Sequence, residues 1–306
     1  MLSLRFIGFY FYMQQESLYI QDGHHQLHLR HIHQNQGGTP VLMLHGTIEN
    51  GKIFYTLSGK GLACYLAKQG FDVYVADFRG KGESKPNLKQ DAGHGQYEAI
   101  TQDIPLFLDY IEQRCHQPMH LICHSWGGVL LASTLARYPQ RCRQVASTLC
   151  FGTKRSIYRK TLSKRWTVDL LWNRLAPLLA RKKGYIDAVK LKFGADNESL
   201  NFLHQSIEWV KPGKWCDPVD GFDYHQAAQS INWPRTWHIT GASDHLLGYK
   251  EDVKAFIEES NAQATFSLLS KSAGNAIDYD HINILTHPYA IDDHFPEVAR
   301  WLAQEE

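Results

Sequence analysis

The stretch that decides the fold is Leu121-Ile122-Cys123-His124-Ser125-Trp126-Gly127-Gly128. The mostly apolar run 119–122 has the length of a buried strand, and the Ala- and Leu-rich segment that ends before Pro139 is typical of a helix. A serine between a strand end and a helix start lies at a sharp turn, with its hydroxyl exposed above the sheet. The free N–H groups and the positive end of the helix dipole then face whatever binds beside the serine.

This turn has the pattern of a nucleophile elbow, G-x-S-x-G, except that Cys123 replaces the first glycine. Small residues are required there because the strand and the helix crowd the backbone. Cysteine is small but adds a Cβ and a sulfur, so we expect it to re-aim the turn slightly. A serine that only caps the helix is the alternative, and the rest of the chain has to decide between the two.

Composition narrows the class of protein. The 306 residues suffice for one large α/β domain with an insertion. A hydrophobic content of 43% and a charged content of 21% are typical of globular proteins and exclude disordered and fibrous classes. A net charge of +1 gives no field that attracts nucleic acid, and no apolar run approaches the length of a membrane span.

The cysteines and the N-terminus bear on the cellular compartment. The cysteines are scattered without a C-x-x-C pair: Cys64, Cys115, Cys123, Cys142, Cys150 and Cys216. This pattern predicts reduced, buried thiols in a cytoplasmic protein. Residues 1–12 are apolar and aromatic, but they are short for a signal peptide and no small-residue cleavage site follows. We expect an upstream start ahead of a native start at Met13, or a docked N-terminal segment.

Strands alternate with helices in two parts of the chain. Strands are predicted at 17–21, 26–33, 41–45, 71–76, 119–122, 144–150, 235–240 and 264–269, and helices near 59–69, 96–114 (kinked at Pro105), 249–260 and 293–303. Such alternation indicates a mostly parallel sheet covered on both faces. We predict an α/β core of residues 1–151 and 234–306, interrupted by a helical cap of residues 152–233.

The predicted N-terminal hairpin is rich in histidine: His24, His25, His28, His31 and His33. Alternation divides these side chains between the two faces of the hairpin, and no carboxylate or cysteine is spaced to complete a metal site. We therefore predict a polar edge hairpin and no bound metal.

From about Glu16 onward the sequence resembles α/β-hydrolases with an inserted cap. The resemblance rests on motifs at strand ends, in the right order: His45-Gly46, Asp77-x-Arg79-Gly80-x-Gly82-x-Ser84, Cys123-His124-Ser125-Trp126-Gly127, Gly241-Ala242-Ser243-Asp244 and Asp280-His281. It implies the α/β-hydrolase fold, with a mostly parallel central sheet, helices on both faces and an inserted helical cap. The order Ser, Asp, His is the one that this fold uses, and ligands bind outside the carboxyl ends of the strands.

The resemblance implies that Ser125, Asp244 and His281 are catalytic. A serine hydroxyl is a poor nucleophile and needs a base, and His281 would take its proton and return it to the leaving group. Asp244 would hold the imidazole in the useful tautomer. Main-chain N–H groups of Thr47 and Trp126 would form the oxyanion hole.

Other side chains fit these roles less well. His287 precedes a proline, His294 starts a helix, and His124 adjoins the serine at a turn where neighbours point apart. The remaining acids lie too near His281 in sequence or within the cap: Asp278, Asp280, Asp217, Asp220 and Asp223. We interpret the motif after the fourth strand as structural, a tight turn with an internal ion pair made by Asp77, Arg79, Gly80 and Gly82.

Basic residues dominate residues 154–192, where only Asp169 and Asp187 oppose them, and apolar residues are interleaved at helical spacing. One interpretation is a lid whose apolar face covers an acyl pocket and whose basic face makes weak contact with anionic lipid. The other is a helix that packs on the core and has a solvated basic back.

Serine at the elbow predicts acyl transfer, whereas aspartate would indicate dehalogenase or epoxide hydrolase chemistry. We predict a serine hydrolase that needs no cofactor and cleaves a small-molecule carboxylic ester with an apolar acyl group through an acyl-enzyme. An amidase or peptidase, a thioesterase, and a catalytically silent ligand-binding protein of the same fold are the alternatives. A peptidase would need an acidic anchor for the substrate amine, and Cys123 is the one feature that favours a silent protein.

Overall fold

An eight-stranded sheet forms the centre of the computed structural model, which describes residues 13–159 and 161–304. The expected N-terminal segment 1–12 lies outside these residues. The strands are β1 (Gln14–Asp22), β2 (His25–His33), β3 (Pro40–Leu44), β4 (Asp72–Asp77), β5 (Met119–His124), β6 (Val145–Phe151), β7 (Tyr185–Ile186), β8 (Glu198–Ser199), β9 (Arg235–Gly241) and β10 (Ala264–Leu269). The spatial order of the sheet is β1-β2-β4-β3-β5-β6-β9-β10; β2 is antiparallel to both of its neighbours, β1 and β4, and the other adjacent strands pair in parallel.

Helices cover both faces of the sheet. They are α1 (Leu62–Lys68), α2 (Gln96–Glu98), α3 (Ile104–Cys115), α4 (Trp126–Arg137), α5 (Leu162–Lys164), α6 (Ala176–Ala180), α7 (Leu200–Val210), α8 (Tyr224–Ala228), α9 (Lys250–Ser260), α10 (Asn283–Thr286) and α11 (Phe295–Leu302). Wider π-helical turns, Ala99–Asp103 and Arg165–Leu175, join α2 to α3 and α5 to α6. The first of them directly precedes α3, where Pro105 lies, so the predicted kink corresponds to a widened turn.

Strand β3 shows why the middle of the sheet is stable. Its side chains alternate between two buried clusters: Leu42 and Leu44 pack on the side of α3 and α4, and Val41 and Met43 on the side of α1 and α11. A strand buried on both faces needs a continuous apolar run, which is what the sequence has there. Helix α1 begins later than predicted because Gly61 has φ +98°, where L-residues are strained.

The segment 152–233, which we predict to be a cap, is not helical throughout. It contains α5 to α8 but also the antiparallel pair β7 and β8, which the sequence did not indicate because two-residue strands show no alternation. In its second half, Trp209, Trp215 and Tyr224 belong to the same buried cluster as α4. That half therefore packs on the core. Within the described ranges, no helix is both long and apolar enough to cross a membrane.

Candidate active site

Ser125 lies in the sharp turn between β5 and α4, half-buried, with φ 53° and ψ −124°. A non-glycine residue in this conformation costs about 1–3 kcal/mol, so the surroundings must hold it. The Ser125 N–H donates to the Phe151 carbonyl at 2.8 Å, and the Thr153 hydroxyl donates to the Ser125 carbonyl at 2.9 Å. The turn thus has the predicted elbow geometry.

The two small positions of the elbow differ in their need for glycine. A Cβ on Gly127 would lie 2.4 Å from the His45 carbonyl oxygen, so only glycine fits. Cys123 is fully buried in β5, opposite Leu44 on one neighbouring strand and Cys150 on the other. The elbow accommodates this cysteine, and Ser125 still reaches its hydrogen-bond partner, as described next.

The structure brings the three predicted catalytic side chains together. His281 Nε2 lies 2.8 Å from Ser125 Oγ, and His281 Nδ1 lies 2.6 Å from Asp244 Oδ2. Asp244 follows β9, and His281 lies in the loop before α10, so the carboxyl ends of three strands meet at this site. Burial alone raises the pKa of Asp244, but the hydrogen bond and charge of His281, the Gly248 main chain and Lys154 lower it below its usual value. Asp244 is therefore an anion at neutral pH.

The rival side chains lie elsewhere. His294 Nε2 bonds the Ile284 carbonyl, and His287 accepts from the Tyr289 N–H. The other acids have local partners: Asp278 accepts from Lys271, Asp280 from Ile282 and Asn283, Asp217 and Asp220 pair with Arg137, and Asp223 caps α8.

The loop after β3 passes directly over the serine. A Cβ on Gly46 would lie 2.9 Å from Ser125 Cβ. In the part of the chain that the structure describes, no protein oxygen accepts from the main-chain N–H of Thr47 or of Trp126, the first residue of α4. Both N–H groups are therefore available to a ligand at Ser125.

The cap holds this loop in a strained conformation that the sequence did not reveal. Ile48 has φ 52°, which is unfavourable for a β-branched residue. Its N–H donates to Glu198 Oε2 at 3.1 Å, and its carbonyl accepts from the N–H groups of Ala195 and Asp196 at 2.9 Å. Glu198 is buried and pairs with Lys81 at 2.8 Å. A buried ion pair between Lys81 of the core and Glu198 of segment 152–233 thus fixes the residue that follows Thr47.

A second buried pair lies beneath the site. As the sequence predicted, the His124 side chain does not contact the Ser125 hydroxyl. It nevertheless lies within the site, beneath the catalytic side chains that we predict. Its Nδ1 lies 2.8 Å from Glu49 Oε2, and its Nε2 lies 2.8 Å from the His281 carbonyl oxygen. Sequence reasoning missed both residues, although Glu49 follows His45-Gly46 closely and His124 is the neighbour of the serine.

The motif after β4 is structural in its contacts, but the predicted internal ion pair is wrong. Asp77 bonds His28 and accepts from the N–H groups of Gly51 and Glu83. Arg79 instead pairs with Asp103, in the π-helical turn before α3, and with Asp22. The Asp77 carboxylate is occupied by His28 of β2 and by two main-chain N–H groups, and the guanidinium of Arg79 finds its partners elsewhere.

The histidine-rich hairpin has carboxylates that spacing did not reveal. Strand pairing places Glu16 beside His31 and His33, and a distant loop brings Asp91 to His24 and His25, with ligand atoms within 4.8 Å in each group. The prediction that no carboxylate is spaced to complete a site here is therefore wrong. Both ring nitrogens of His31 already bond carboxylates, those of Glu16 and Asp72. The absence of a metal stays a prediction.

Comparison with known proteins agrees with this geometry. The serine aminopeptidase S33 family matches residues 33–196, more than half of the chain. A probable alcohol acetyltransferase of Cyberlindnera fabianii is 22% identical over 212 residues (64% of this chain, 53% of that protein). Triacylglycerol lipase 2 of Arabidopsis thaliana is 23% identical over 208 residues (60% of this chain, 50% of that protein). The chain thus spans about half the length of these relatives.

Among solved structures, a soluble variant of monoglyceride lipase from Saccharomyces cerevisiae superimposes with a TM-score of 0.66 at 16% identity, over 96% of each chain. The fold and the order of the motifs define an α/β-hydrolase, as the sequence predicted. Within that class, the chain belongs to the serine aminopeptidase S33 family.

Proposed function

We propose that this protein is a serine hydrolase that cleaves carboxylic esters with an apolar acyl group. The observation that carries the proposal is the hydrogen-bonded series Ser125 Oγ, His281 and Asp244 beside the free N–H groups of Thr47 and Trp126. Nucleophile, base, orienting acid and oxyanion donors are the four parts that acyl transfer requires.

In the proposed reaction, His281 Nε2 takes the proton of Ser125 as Oγ attacks the ester carbonyl carbon. The negative oxygen of the tetrahedral intermediate accepts hydrogen bonds from Thr47 and Trp126. The carbon–oxygen bond to the alcohol then breaks, and the imidazolium of His281 protonates the departing alcohol. A water molecule, deprotonated by His281, releases the acid from the acyl-enzyme and restores the serine hydroxyl.

The surroundings of the loop favour an ester over an amine-bearing peptide. Peptidase specificity for a free amine needs an unpaired carboxylate near the nucleophile. The acids of the cap nearest the loop are engaged: Glu198 pairs with Lys81 and Ile48, and Asp196 accepts from the Asn50 side chain and the Gly82 N–H.

The cavity beside Gly46 is walled in part by Arg79, Lys81 and Glu198, and such charges do not suit an aliphatic chain.

Apolar surface that suits an aliphatic chain lies instead on the first half of the predicted cap. Trp166 is 65% exposed and Leu162 is 73% exposed, and further apolar side chains are exposed nearby in sequence: Leu171, Leu175, Leu178, Leu179, Val189, Leu191 and Phe193. Exposed basic residues accompany them: Arg165, Arg174, Arg181, Lys182, Lys183, Lys190 and Lys192. We propose that this surface, the lipid-facing cap, makes weak contact with anionic lipid and delivers an aliphatic ester to Ser125.

Two of the basic residues assigned to this segment do not belong to the surface. Arg155 is fully buried and pairs with Glu259, and Lys154 is 7% exposed. Burial lowers the pKa of Lys154 to about 8, although Asp252 and Asp244 oppose the shift. All six cysteines are free, which is compatible with the reducing cytoplasm that we propose as the compartment.

A fluorophosphonate probe tests the proposal, because it reacts only with an activated serine. We expect covalent labelling of the wild type and none of Ser125→Ala. Ser133→Ala is the matched control, since Ser133 is buried in α4 and bonds only the Val129 carbonyl of its own helix. A well-folded wild type that does not label would favour a silent ligand-binding protein.

A series of p-nitrophenyl esters then tests the acyl group. We expect kcat/KM to rise from acetyl to medium-chain acyl groups, and aminoacyl p-nitroanilides to react far more slowly. A preference for acetyl alone would contradict the apolar acyl group, and efficient anilide cleavage would favour the peptidase.

A further inference from the structure

We propose that His124 is a positioning residue: a doubly protonated imidazolium, locked between Glu49 and the main-chain carbonyl of His281, that fixes the catalytic histidine and the oxyanion loop together. This inference rests on the proposed function for the roles of His281 and the loop. The charge state of His124 is testable without any activity.

The location of His124 follows from the strand that carries it. His124 is the last residue of β5, directly before Ser125, and its side chain is fully buried. Its ring centroid lies 4.7 Å from that of His281, with the two planes tilted by 45°. A buried imidazole at this distance from the base is part of the electrostatic surroundings of the reaction.

The hydrogen-bond partners determine the protonation state of His124. Nδ1 faces the Glu49 carboxylate and Nε2 faces the His281 carbonyl oxygen, each at 2.8 Å. A carbonyl oxygen can only accept, and a neutral imidazole has one N–H. Glu49 Oε2 also accepts the Gly46 N–H at 3.0 Å, as an ionised carboxylate does. With Glu49 ionised, its oxygens only accept, and both ring nitrogens of His124 donate.

The shifted pKa values of His124 and Glu49 agree with a protonated imidazole beside an ionised carboxylate. Burial alone lowers the pKa of His124, but the charge and hydrogen bond of Glu49, the His281 carbonyl and the charge of Asp244 raise it above its usual value. Burial raises the pKa of Glu49, but His124, more distant His281 and the Gly46 N–H lower it to about 2. Cation and anion thus stabilise each other where water is excluded.

One ion pair consequently connects two parts of the active site. Through His124, Glu49 fixes the carbonyl of His281 and hence the position of its ring. Through its other contact, Glu49 holds Gly46, the residue before the oxyanion donor Thr47. Placement of the reacting groups to within a fraction of an ångström governs turnover more than substrate affinity.

The first experiment reads the charge of His124 in the wild-type protein. Long-range ¹H–¹⁵N correlation spectra of ¹⁵N-histidine-labelled protein, with His124 assigned by loss of its signals in His124→Gln, report the protonation of each ring nitrogen. We expect both nitrogens to be protonated at neutral pH, above the ordinary histidine pKa of about 6.5. A single neutral tautomer at neutral pH would overturn the proposal, whether or not Ser125 is reactive.

The second experiment reads the positioning role. Glutamine can donate to the His281 carbonyl or interact with Glu49, but it carries no charge, so we expect His124→Gln to lower kcat by about tenfold to about a hundredfold with little change in KM. His120→Gln is the matched control, because His120 is buried in the same strand but bonds only Ser147. Unchanged kcat in a folded His124→Gln variant overturns the role.

Glu49→Gln provides a second route if His124→Gln fails to fold. This variant places an amide of the same size at position 49 and removes the anion, so His124 should become neutral in the same spectra and kcat should fall to a similar extent. If His124 stays doubly protonated without Glu49, or if kcat does not change, the ion pair is not what positions His281. Absence of fluorophosphonate labelling in the wild type would contradict the proposed function but not the proposed charge of His124, which the spectra still measure.

Discussion

His281 is contacted from three directions: Ser125 at ring Nε2, Asp244 at ring Nδ1, and His124 at its main-chain carbonyl. Because the anionic carboxylate of Asp244 can only accept, Nδ1 must carry the proton and Nε2 is the basic nitrogen that faces the serine. The tautomer required for proton abstraction is thus determined by one carboxylate. Since the pKa of Asp244 is lowered below its usual value, this carboxylate stays ionised throughout the neutral and mildly acidic range.

Asp244→Asn should therefore abolish most of the activity without unfolding the protein. An amide can donate to Nδ1 and so stabilise the wrong tautomer, and in a serine protease the same change lowers kcat by about 10⁴. We expect a loss of at least about a thousandfold in ester hydrolysis, measured as kcat at neutral pH. Asp280→Asn, next to His281 but bonded only to Ile282, Asn283 and their loop, is the control. A loss below tenfold would assign the orienting role to another group.

At this scale the sequence predicts the side chains that a motif places at a strand end. Ser125, Asp244 and His281, which the structure brings together, were predicted in this way. Glu49 and His124 were not, because nothing in a sequence tells which carboxylate a buried histidine at a turn will meet. The partners of Arg79 were missed for the same reason: an ion pair inside a short motif is easy to imagine, whereas Asp103 lies on another element.

At the scale of elements, the loop over the serine depends on a strand of the cap. Glu198 in β8 accepts from the Ile48 N–H and pairs with Lys81, and both charges are buried. The positive φ of Ile48 is a strained conformation that persists only because these contacts hold it. The position of Thr47, the oxyanion donor that we propose, thus depends on a contact with segment 152–233.

Glu198→Gln tests this dependence. Glutamine cannot neutralise Lys81, so we expect the loop to relax and kcat to fall by about tenfold to a hundredfold, as for other small misplacements of catalytic groups. The double variant Lys81→Met with Glu198→Leu removes both charges and also the acceptor for the Ile48 N–H, and so separates stability from catalysis: urea denaturation should show recovered stability while kcat stays low. Full recovery of kcat in the double variant would mean that charge burial, and not the contact with Ile48, is what matters.

The large elements were predictable and the small ones were not. Strands β3 to β6 are mostly apolar and almost wholly buried, which is the pattern of strands covered on both faces. Strands β7 and β8 have two residues each and are defined only by pairing with each other. The start of α1 depended on the backbone conformation of Gly61, which its neighbours in space impose.

At the scale of the whole molecule, charge and apolar surface are unevenly distributed. The protein has a net charge of only +1, yet residues 162–193, the lipid-facing surface that we propose, concentrate exposed basic and apolar side chains. Local concentration of this kind is what peripheral contact with an anionic surface requires, since each lysine or arginine near such a surface contributes about 1 kcal/mol.

Substitution of Arg181, Lys182 and Lys183 together by glutamine should weaken this contact. Three charges at about 1 kcal/mol each correspond to about a hundredfold lower partition onto vesicles rich in phosphatidylserine, measured by flotation at low salt. Hydrolysis of a water-soluble p-nitrophenyl ester should not change. The same substitution of Lys60, Lys68 and Lys89, which are exposed outside the cap, is the control. Equal loss in both triples would indicate a non-specific effect of net charge.

The hydrogen bonds between Ile48 and residues 195–198 have a consequence for the divergence of this protein. A cap exchanged with that of a relative has to reproduce those bonds, or turnover falls along with the intended change of selectivity. The hydrogen bonds to Ile48 come from residues 195–198 and not from residues 162–180. We therefore expect substitutions that change substrate selectivity to be tolerated more readily in residues 162–180 than in residues 195–198, which contact the loop over Ser125.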